Sequence, residues 1–316
     1  MSASVPLAAW ANMKLISYNI QYGFGLDGSY DLSRAASVIA DADVIALQEV
    51  DRHWSRTNFE DQAARLAILL PQHYQAYAPG FDMDASFIRP DGSVENRRRQ
   101  FGPMILSKFP IVWSRMHLLP LARMVRPINT QTVALETMIR TPAGPVRFWS
   151  VHLAHVGTEE RLRQLDLLVE LNLASPRTGG PWSGADDEPH RNWTEGEMEP
   201  EAPQASIIMG DFNAVPTGPE YTRMVGTQPF HRGVLYSDLF VDAAIAAGHR
   251  PTDFYSHERV VNGALDRRRL DYCFVSGSLA PRVRSYAIDV TERASDHFPV
   301  MVDIDLETLP VGNRPL

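Results

Sequence analysis

Two spacings of apolar residues alternate along the first 70 residues of the chain. Short apolar runs typical of buried strands are each followed by a segment whose apolar residues recur every three to four positions, as on one face of a helix. Asp31 is a typical N-cap for the first such segment, and Pro71 ends the second. The order strand, helix, strand, helix is therefore predicted at 13–20, 31–42, 43–50 and 59–70.

The pattern changes from about residue 101. Three short β-type segments with turn residues between them predict an antiparallel meander: "FGPMILSKFPIV", "TQTVALETMIR" and "GPVRFWSVHLAH". Amphipathic spacing predicts a helix at 158–174, and "LFVDAAIAAG" (239–248) reads as a further helical stretch. More strands are predicted in "SIIM" (206–209), at 268–276, at 283–290 and in the closing "SDHFPVMVDIDL".

This mixed order of strands and helices predicts one α/β sandwich domain over residues 13–306. Residues 1–12 are interpreted as a flexible leader and 307–316 as a tail. Residues 175–205 are rich in Gly, Pro and acidic side chains and lack apolar periodicity. Because the core pattern resumes directly after them, they predict an acidic surface insertion and not a linker between domains.

Composition restricts the compartment and the partners. A net charge of −8 and a pI near 5.7 disfavour a dedicated nucleic-acid-binding protein, although a local basic loop would suffice for one. The single cysteine, Cys273, excludes an intrachain disulfide and fits the reducing cytoplasm. No apolar stretch approaches the roughly 18–20 residues of a membrane span. We expect a cytoplasmic monomer without a transmembrane segment.

Polar side chains stand where the predicted strands begin or end. Open α/β sheets place functional groups at strand ends, where a rigid scaffold brings together residues that are distant in sequence. Residues at i and i+2 of a strand share a face, so Asp211 and Asn213 are expected to enter one cleft while Phe212 turns into the core. The full set is Asn19, Glu49, His152, Asp211, Asn213, Asp271, Asp296 and His297.

The oxygen donors in this set fit a hard divalent cation. Carboxylate and amide oxygens suit Mg²⁺ or Mn²⁺, and two imidazoles without cysteine suit a phosphoryl group better than a zinc cage. Taken singly, these residues have plainer explanations. Asp211 and Asn213 before "VPTG" are good turn residues, and a lone histidine such as His152 is commonly a core residue.

Six segments in chain order point to one family. "SYNI", "LQEV", "SVHL", "GDFNAVP", "RRLDY" and "SDHFPV" together resemble the motif series of the endonuclease/exonuclease/phosphatase superfamily of metal-dependent phosphoesterases. This superfamily includes DNase I-like nucleases, abasic-site endonucleases, neutral sphingomyelinases and inositol polyphosphate 5-phosphatases. The strand pair "FGPMILSKFPI" also resembles one that many members carry, and the resemblance runs from about 13 to 304.

The resemblance implies a four-layered α/β sandwich, in which two packed mixed β-sheets are flanked by helices. It also implies a site for Mg²⁺ or Mn²⁺ with Glu49 as the main ligand, assisted by Asn19 and Asp296.

The same resemblance implies catalytic roles for five residues. Asp211 would orient and deprotonate the attacking water, and Asn213 would help to place it. His297, held by Asp271, would bind a non-bridging phosphate oxygen, and His152 would contact the phosphate from the other side. A carboxylate beside a histidine raises the pKa of the imidazole and fixes its tautomer, as such a role requires.

Four further residues are candidates for substrate contact: Arg52, Arg56, His155 and Arg98. Arg98 belongs to "NRRRQ" (96–100), a dense basic cluster that could line the phosphate-binding rim. A solvated loop is the plainer interpretation of that cluster. Simple exposure is the plainer interpretation of Arg52 and Arg56.

These observations predict a metal-dependent phosphoesterase, most consistent with a phosphodiesterase that uses metal-activated water on a small or lipid-derived phosphodiester. An acidic insertion near the cleft would repel a polyanion, although that objection fails if the insertion lies far from the site. The alternatives are a nuclease that grips DNA or RNA with "NRRR", and a catalytically silent binding module on the same scaffold.

Overall fold

The computed structural model of the protein describes residues 12–187, 190–227 and 236–306. The predicted leader, except Asn12, and the predicted tail at 307–316 lie outside these residues. No helix in the described ranges is both long enough and apolar enough to cross a bilayer.

The predicted order of the first four elements is confirmed. They are β1 (Asn12–Asn19), α1 (Leu32–Ile39), β2 (Val44–Arg52) and α2 (Gln62–Leu69). Asp31 caps α1 by accepting the Ser33 N–H at 2.9 Å. α2 begins three residues later than predicted because Asp61, which accepts the Ala64 N–H at 3.1 Å, is its N-cap.

The remaining elements follow in order. The next strands are β3 (Tyr74–Tyr77), β4 (Phe81–Asp84), β5 (Phe87–Ile88), β6 (Val94–Glu95), β7 (Arg98–Ser107), β8 (Ile111–Leu118), β9 (Val133–Thr141) and β10 (Gly144–His152). Then come α3 (Thr158–Thr178), β11 (Ser206–Asp211), α4 (Pro219–Val225), β12 (Phe240–Asp242) and α5 (Ala243–Ala246). The described part ends with β13 (His257–Val261), β14 (Ala264–Arg268), β15 (Asp271–Ser276), β16 (Val283–Ile288) and β17 (Val300–Asp305).

Two large mixed sheets contain most of these strands. The first has the order β16-β17-β1-β2-β7-β3 with β4 also paired to β7, and the second has the order β12-β15-β11-β10-β9-β8. The predicted meander is correct for β8–β10 but wrong for β7, which pairs with β2 in the first sheet. The predicted helix at 239–248 is also partly wrong, because Phe240–Asp242 pairs with β15 and Asp242 then caps the short α5.

The apolar residues explain the four layers. Leu15, Val44 and Ile105 of the first sheet and Phe148 and Met209 of the second belong to one buried cluster between the sheets. A second cluster packs α1 and α2 on the outer face of the first sheet, and a third packs α3 and α4 on the outer face of the second. The predicted four-layered α/β sandwich is therefore confirmed.

Each sheet contains one parallel strand pair at its centre. β1 runs parallel to β2 with Asn19 opposite Gln48, and β10 runs parallel to β11 with His152 opposite Asp211. Because parallel strands end at the same edge of a sheet, each pair places two polar residues side by side at that edge.

α3 determines where the acidic insertion lies. The helix has 21 residues, so it spans about 30 Å. It ends at Thr178, four residues after the predicted end, because Ser175 is buried and its hydroxyl donates to Glu136. The chain, irregular over the described residues 179–187 and 190–205, then enters β11 at Ser206, whereas Asp211 lies at the other end of that strand. The insertion therefore lies at the far end of the second sheet from the polar strand ends.

Candidate active site

The Asp211 carboxylate lies at the centre of the polar strand ends. Asp211 is almost fully buried at the end of β11. Its Oδ2 accepts a hydrogen bond from Asn19 Nδ2 at 3.1 Å and lies 3.5 Å from His152 Nε2 and 3.7 Å from His297 Nε2. Side chains from both sheets therefore meet at one carboxylate oxygen.

Glu49 reaches the same place through a bulge in β2. The pairing of β2 with β7 shifts between Leu47 and Val50, and Glu49 has a φ of +60°. A bulge re-aims a side chain, and a positive φ is uncommon for a residue other than glycine. Glu49 Oε1 consequently lies 3.1 Å from Asn19 Nδ2 and 3.8 Å from His152 Nε2.

The segment "GDFN" contains a glycine because two strands approach closely there. A Cβ on Gly210 would lie 2.0 Å from the Val151 carbonyl oxygen. The expected strand alternation through Asn213 is wrong, because β11 ends at Asp211 and Asn213 has a φ of +50°. The Asn213 N–H donates to Asp211 at 2.8 Å and its amide donates to the Leu153 carbonyl at 3.0 Å, while Phe212 is buried as predicted.

A buried hydrogen-bond chain holds His297. Its Nδ1 lies 2.8 Å from Asp271 Oδ2, which also accepts the Ser256 hydroxyl at 2.6 Å. Burial alone would lower the pKa of His297, but the charges of Asp271 and Asp211 outweigh burial and raise it to about 10. His297 and Asp296 precede β17 instead of opening it, whereas Asp271 does begin β15 as predicted.

Excess negative charge makes this site suited to a divalent cation. Burial, together with the charge of Glu49, raises the pKa of Asp296 to about 6 although His297 opposes the shift. A cation between these carboxylates would neutralise that charge, and their oxygens are hard donors.

The Asn19 amide is not oriented as a simple metal ligand would be. Its Nδ2 faces Glu49 and Asp211, while its Oδ1 accepts the Gln21 N–H at 3.1 Å.

The arginines considered for substrate contact are engaged with carboxylates. Arg52 pairs with Asp61 at 2.6 Å, and Arg98 pairs with Asp82 at 2.8 Å. Arg56 pairs with the buried Asp51 at 2.8 Å and its guanidinium carbon lies 3.9 Å from the centre of the Tyr22 ring. His155 is exposed three residues beyond His152.

Sequence reasoning missed His257 and Ser256. The backbone of His257 forms an isolated bridge with His297, and the two ring centres are 4.7 Å apart. Burial and the charge of His297 lower the pKa of His257 to about 4, so its imidazole is neutral at physiological pH. Neither residue lies in a recognisable motif or at a predicted strand end, so no sequence signal marked them.

This arrangement has the chemistry of a hydrolytic site for an anion. A buried carboxylate with one oxygen directed at two imidazoles can take a proton from water, and a cationic His297 can stabilise negative charge that develops on a substrate.

The sequence matches one family model over most of its length. Residues 16–297 match the model described as the Endonuclease/Exonuclease/phosphatase family. A search by sequence among curated proteins finds no significant match.

Solved structures with a similar fold include three informative examples. An endonuclease/exonuclease/phosphatase from Beutenbergia cavernae is 21% identical, with a TM-score of 0.58 over 96% of this chain and 74% of that one. A mannosyl-6-phosphatase from Bacteroides thetaiotaomicron is 18% identical, with a TM-score of 0.57 over 92% of this chain and 98% of that one. D. rerio TDP2 in complex with a single-strand DNA product is 16% identical, with a TM-score of 0.54 over 93% of this chain and 98% of that one.

Proposed function

We propose, from the premise that this chain belongs to the endonuclease/exonuclease/phosphatase family of phosphoester hydrolases, that it is a phosphodiesterase for a small or lipid-derived phosphodiester with Mg²⁺ or Mn²⁺ as cofactor. The observation that carries the proposal is the position of Asp211. Its Oδ2 lies within 3.7 Å of donor atoms from Asn19, His152 and His297. That geometry supports general-base catalysis beside a site for a phosphate oxygen.

Each polar residue of the site has a proposed role. A divalent ion held by Glu49 and Asp296, with Asn19 beside them, would neutralise the phosphate charge that repels a nucleophile. Asp211 accepts the proton of the attacking water, and Asn213 positions Asp211 through its backbone N–H.

Two histidines are proposed to contact the phosphate. His297 donates from Nε2 to a non-bridging oxygen, because its Nδ1 is already occupied by Asp271. His152 approaches from the β10 side, where it faces both Asp211 and Glu49. Once the phosphate is positioned in this way, in-line attack of water on the phosphorus needs little further assistance from the protein.

Cleavage of bis-p-nitrophenyl phosphate tests the catalytic part of the proposal. We expect metal-dependent release of p-nitrophenol that EDTA abolishes. We expect kcat to fall by about 10²–10⁴-fold in Asp211→Asn, the typical contribution of a general base. Circular dichroism checks that the variant is folded. Full activity of Asp211→Asn would refute the role of Asp211, and inactivity of the wild type on every phosphoester would favour a silent binding module.

Exposed apolar residues around the site favour a lipid-derived substrate. Three connections leave the sheets at the edge that carries the site: the β5–β6 hairpin, the loop 119–132 and the β13–β14 hairpin. Their six most exposed apolar side chains, which we call the apolar rim, are Ile88, Val94, Val125, Ile128, Val260 and Leu265. The exposed fraction reaches 74% for Ile88 and 100% for Val125, and such patches mark interaction surfaces.

Each connection is tied to the site by direct contacts. Phe101 of β7, which follows the β5–β6 hairpin, has its ring 6.2 Å from the His152 ring. Thr132, at the end of the loop 119–132, lines one small cavity together with His152. The β13–β14 hairpin begins at His257, beside His297. The apolar rim therefore lies on connections that adjoin the site, where we propose that it contacts the substrate.

A comparison of two substrates tests the role of the apolar rim. We expect Ile128→Ser combined with Val260→Ser to slow hydrolysis of sphingomyelin in vesicles and to leave bis-p-nitrophenyl phosphate cleavage unchanged. Ile68→Ser, an exposed apolar residue on α2, is the matched control. Equal loss on both substrates, or none on vesicles, would contradict a lipid-facing rim.

A nuclease is the second candidate, and two observations favour it. The acidic insertion lies at the far end of the second sheet, so it does not oppose a polyanion at the site. Arg123 and Arg126, in the loop 119–132, are exposed and free of ion pairs with the described residues. Plasmid DNA and an abasic oligonucleotide therefore belong in the substrate panel. Cleavage of DNA without activity on small or lipid esters would replace the phosphodiesterase proposal.

A further inference from the structure

His257 is a buried histidine beside the site that the proposed mechanism does not use. Its side chain projects from the first residue of β13, and only 8% of its surface is exposed. Its Nε2 lies 3.8 Å from Asp296 Oδ2. Its Nδ1 is buried and has no hydrogen-bond partner among the described residues. Of the two ring nitrogens, Nε2 is the one that faces a carboxylate and could bind a ligand.

The separation of His257 from Asp296 fits two ligands of one metal ion. In an octahedral site with bonds near 2.1 Å, adjacent donor atoms are about 3.0 Å apart and opposite ones about 4.2 Å. The observed 3.8 Å exceeds the adjacent separation by about 0.8 Å, so a small side-chain movement would let both atoms bind one ion as adjacent ligands. A direct hydrogen bond is excluded at that distance. His257, Asp296 and His297 also have donor atoms within 4.8 Å of one another.

His297 is a poorer nitrogen ligand than His257. Its Nδ1 is 2.8 Å from Asp271 and its Nε2 faces Asp211 at 3.7 Å, so both ring nitrogens already serve the phosphate-binding role. Among the ion pairs of the described residues, His257 takes part only in the one with Asp296, the carboxylate that is expected to bind the metal. The bridge between the backbones of His257 and His297 fixes its position relative to Asp296.

We propose that His257 is a nitrogen ligand of the divalent ion held by Asp296 and Glu49, and that it makes the site prefer a first-row transition ion such as Mn²⁺ to Mg²⁺. This inference rests on the proposed function, since it assigns a further ligand to the same metal site. Mg²⁺ takes oxygen ligands almost exclusively, whereas imidazole nitrogen binds first-row transition ions.

Binding of Mn²⁺ to the whole protein, without substrate, tests the proposal. Pulsed EPR of bound Mn²⁺ reports a directly coordinated nitrogen as a ¹⁴N modulation. We expect this modulation in the wild type, its loss in His257→Gln and its retention in His297→Gln and in the exposed control His249→Gln. We also expect His257→Gln to weaken Mn²⁺ binding by at least the roughly 10–100-fold that even an outer-shell partner contributes, with a smaller change for Mg²⁺.

The possible outcomes separate the two proposals. Bound Mn²⁺ without ¹⁴N modulation in the wild type overturns the role of His257 and leaves a metal site built from oxygen donors. Loss of the modulation in His297→Gln with retention in His257→Gln overturns it as well, because the ligand is then His297. Absence of bound Mn²⁺ and Mg²⁺ in the wild type refutes the metal site itself, and with it the proposed function.

Discussion

The buried carboxylate of Asp271 controls the charge of His297, the residue proposed to bind a phosphate oxygen. It accepts hydrogen bonds from His297 and Ser256, and both partners are also buried. An unpaired buried carboxylate would be strongly destabilising, so the His297 imidazolium and the carboxylate stabilise one another. His297 thereby stays cationic over the pH range in which a phosphate must be bound.

Replacing Asp271 with Asn tests this coupling. We expect kcat to fall by about 10²–10³-fold, the value of one donor to developing oxyanion charge, while KM changes less. Ser256→Ala is the matched control, because it removes a neutral partner of the same carboxylate. Steady-state kinetics on bis-p-nitrophenyl phosphate give both constants. Equal losses in the two variants would show that hydrogen bonding, and not charge, is what Asp271 supplies.

At the scale of elements, a buried ion pair joins three strands to α3. Arg147 of β10 contacts Glu136 of β9 at 2.9 Å, and His117 of β8 contacts the same carboxylate at 2.8 Å. Arg147 also donates to the side chain of Asn172 in α3 at 2.6 Å. Arg147 consequently fixes α3 on the sheet whose other end carries His152.

We expect Glu136→Gln to lower the free energy of unfolding by about 3–5 kcal/mol near neutral pH, because Arg147 keeps a buried charge without its partner. Burial would raise the pKa of Glu136, but the His117 hydrogen bond and the Arg147 charge outweigh it and hold the pKa below its usual value. The stabilisation is therefore present above the unfolded pKa of about 4.3 and is lost as pH falls through the folded pKa.

Urea unfolding near neutral pH and below about pH 4 measures this effect. The difference between wild type and Glu136→Gln should narrow at the lower pH. Glu170→Gln, an exposed position on α3, should change little at either pH. A difference that stays constant with pH would show that the charge of Glu136 does not contribute.

At the scale of the whole molecule, the candidate active site and the acidic insertion lie at opposite ends of the second sheet. The insertion is attached there by specific contacts, since Trp113 Nε1 donates to the Glu201 carbonyl at 2.9 Å and Gly180 packs directly against Pro200. Ser206, where the insertion ends, precedes Asp211 on the same six-residue strand, so the insertion begins about 17 Å from the site, about two Debye lengths at physiological ionic strength.

Deleting residues 182–198 and joining the ends with a short Gly-Ser linker tests this separation. The ends lie close together, because Gly180 and Pro200 are in contact. We expect kcat/KM for bis-p-nitrophenyl phosphate to be unchanged, and any DNA cleavage to keep its salt dependence. Faster DNA cleavage at low salt in the deletion variant would show that the insertion acts on the site.

The candidate site was predicted from sequence wherever a polar residue follows an apolar strand. Asn19, His152, Asp211 and Asp271 fall at strand ends in both the prediction and the structure. Glu49 was identified from its motif, but its inward direction depends on a bulge against β7. Such a bulge is a property of two paired strands, and β7 was assigned to the wrong sheet.

The sequence alone determined the layered α/β fold, the order of most helices and strands and the family, because these follow from local apolar spacing and from motifs of adjacent residues. Only the tertiary structure decided the sheet to which β7 belongs, the proximity of His257 to Asp296 and the distance of the insertion from the site. These features depend on contacts between residues far apart in the chain, and local spacing carries no information about which distant segment a strand or a histidine will meet.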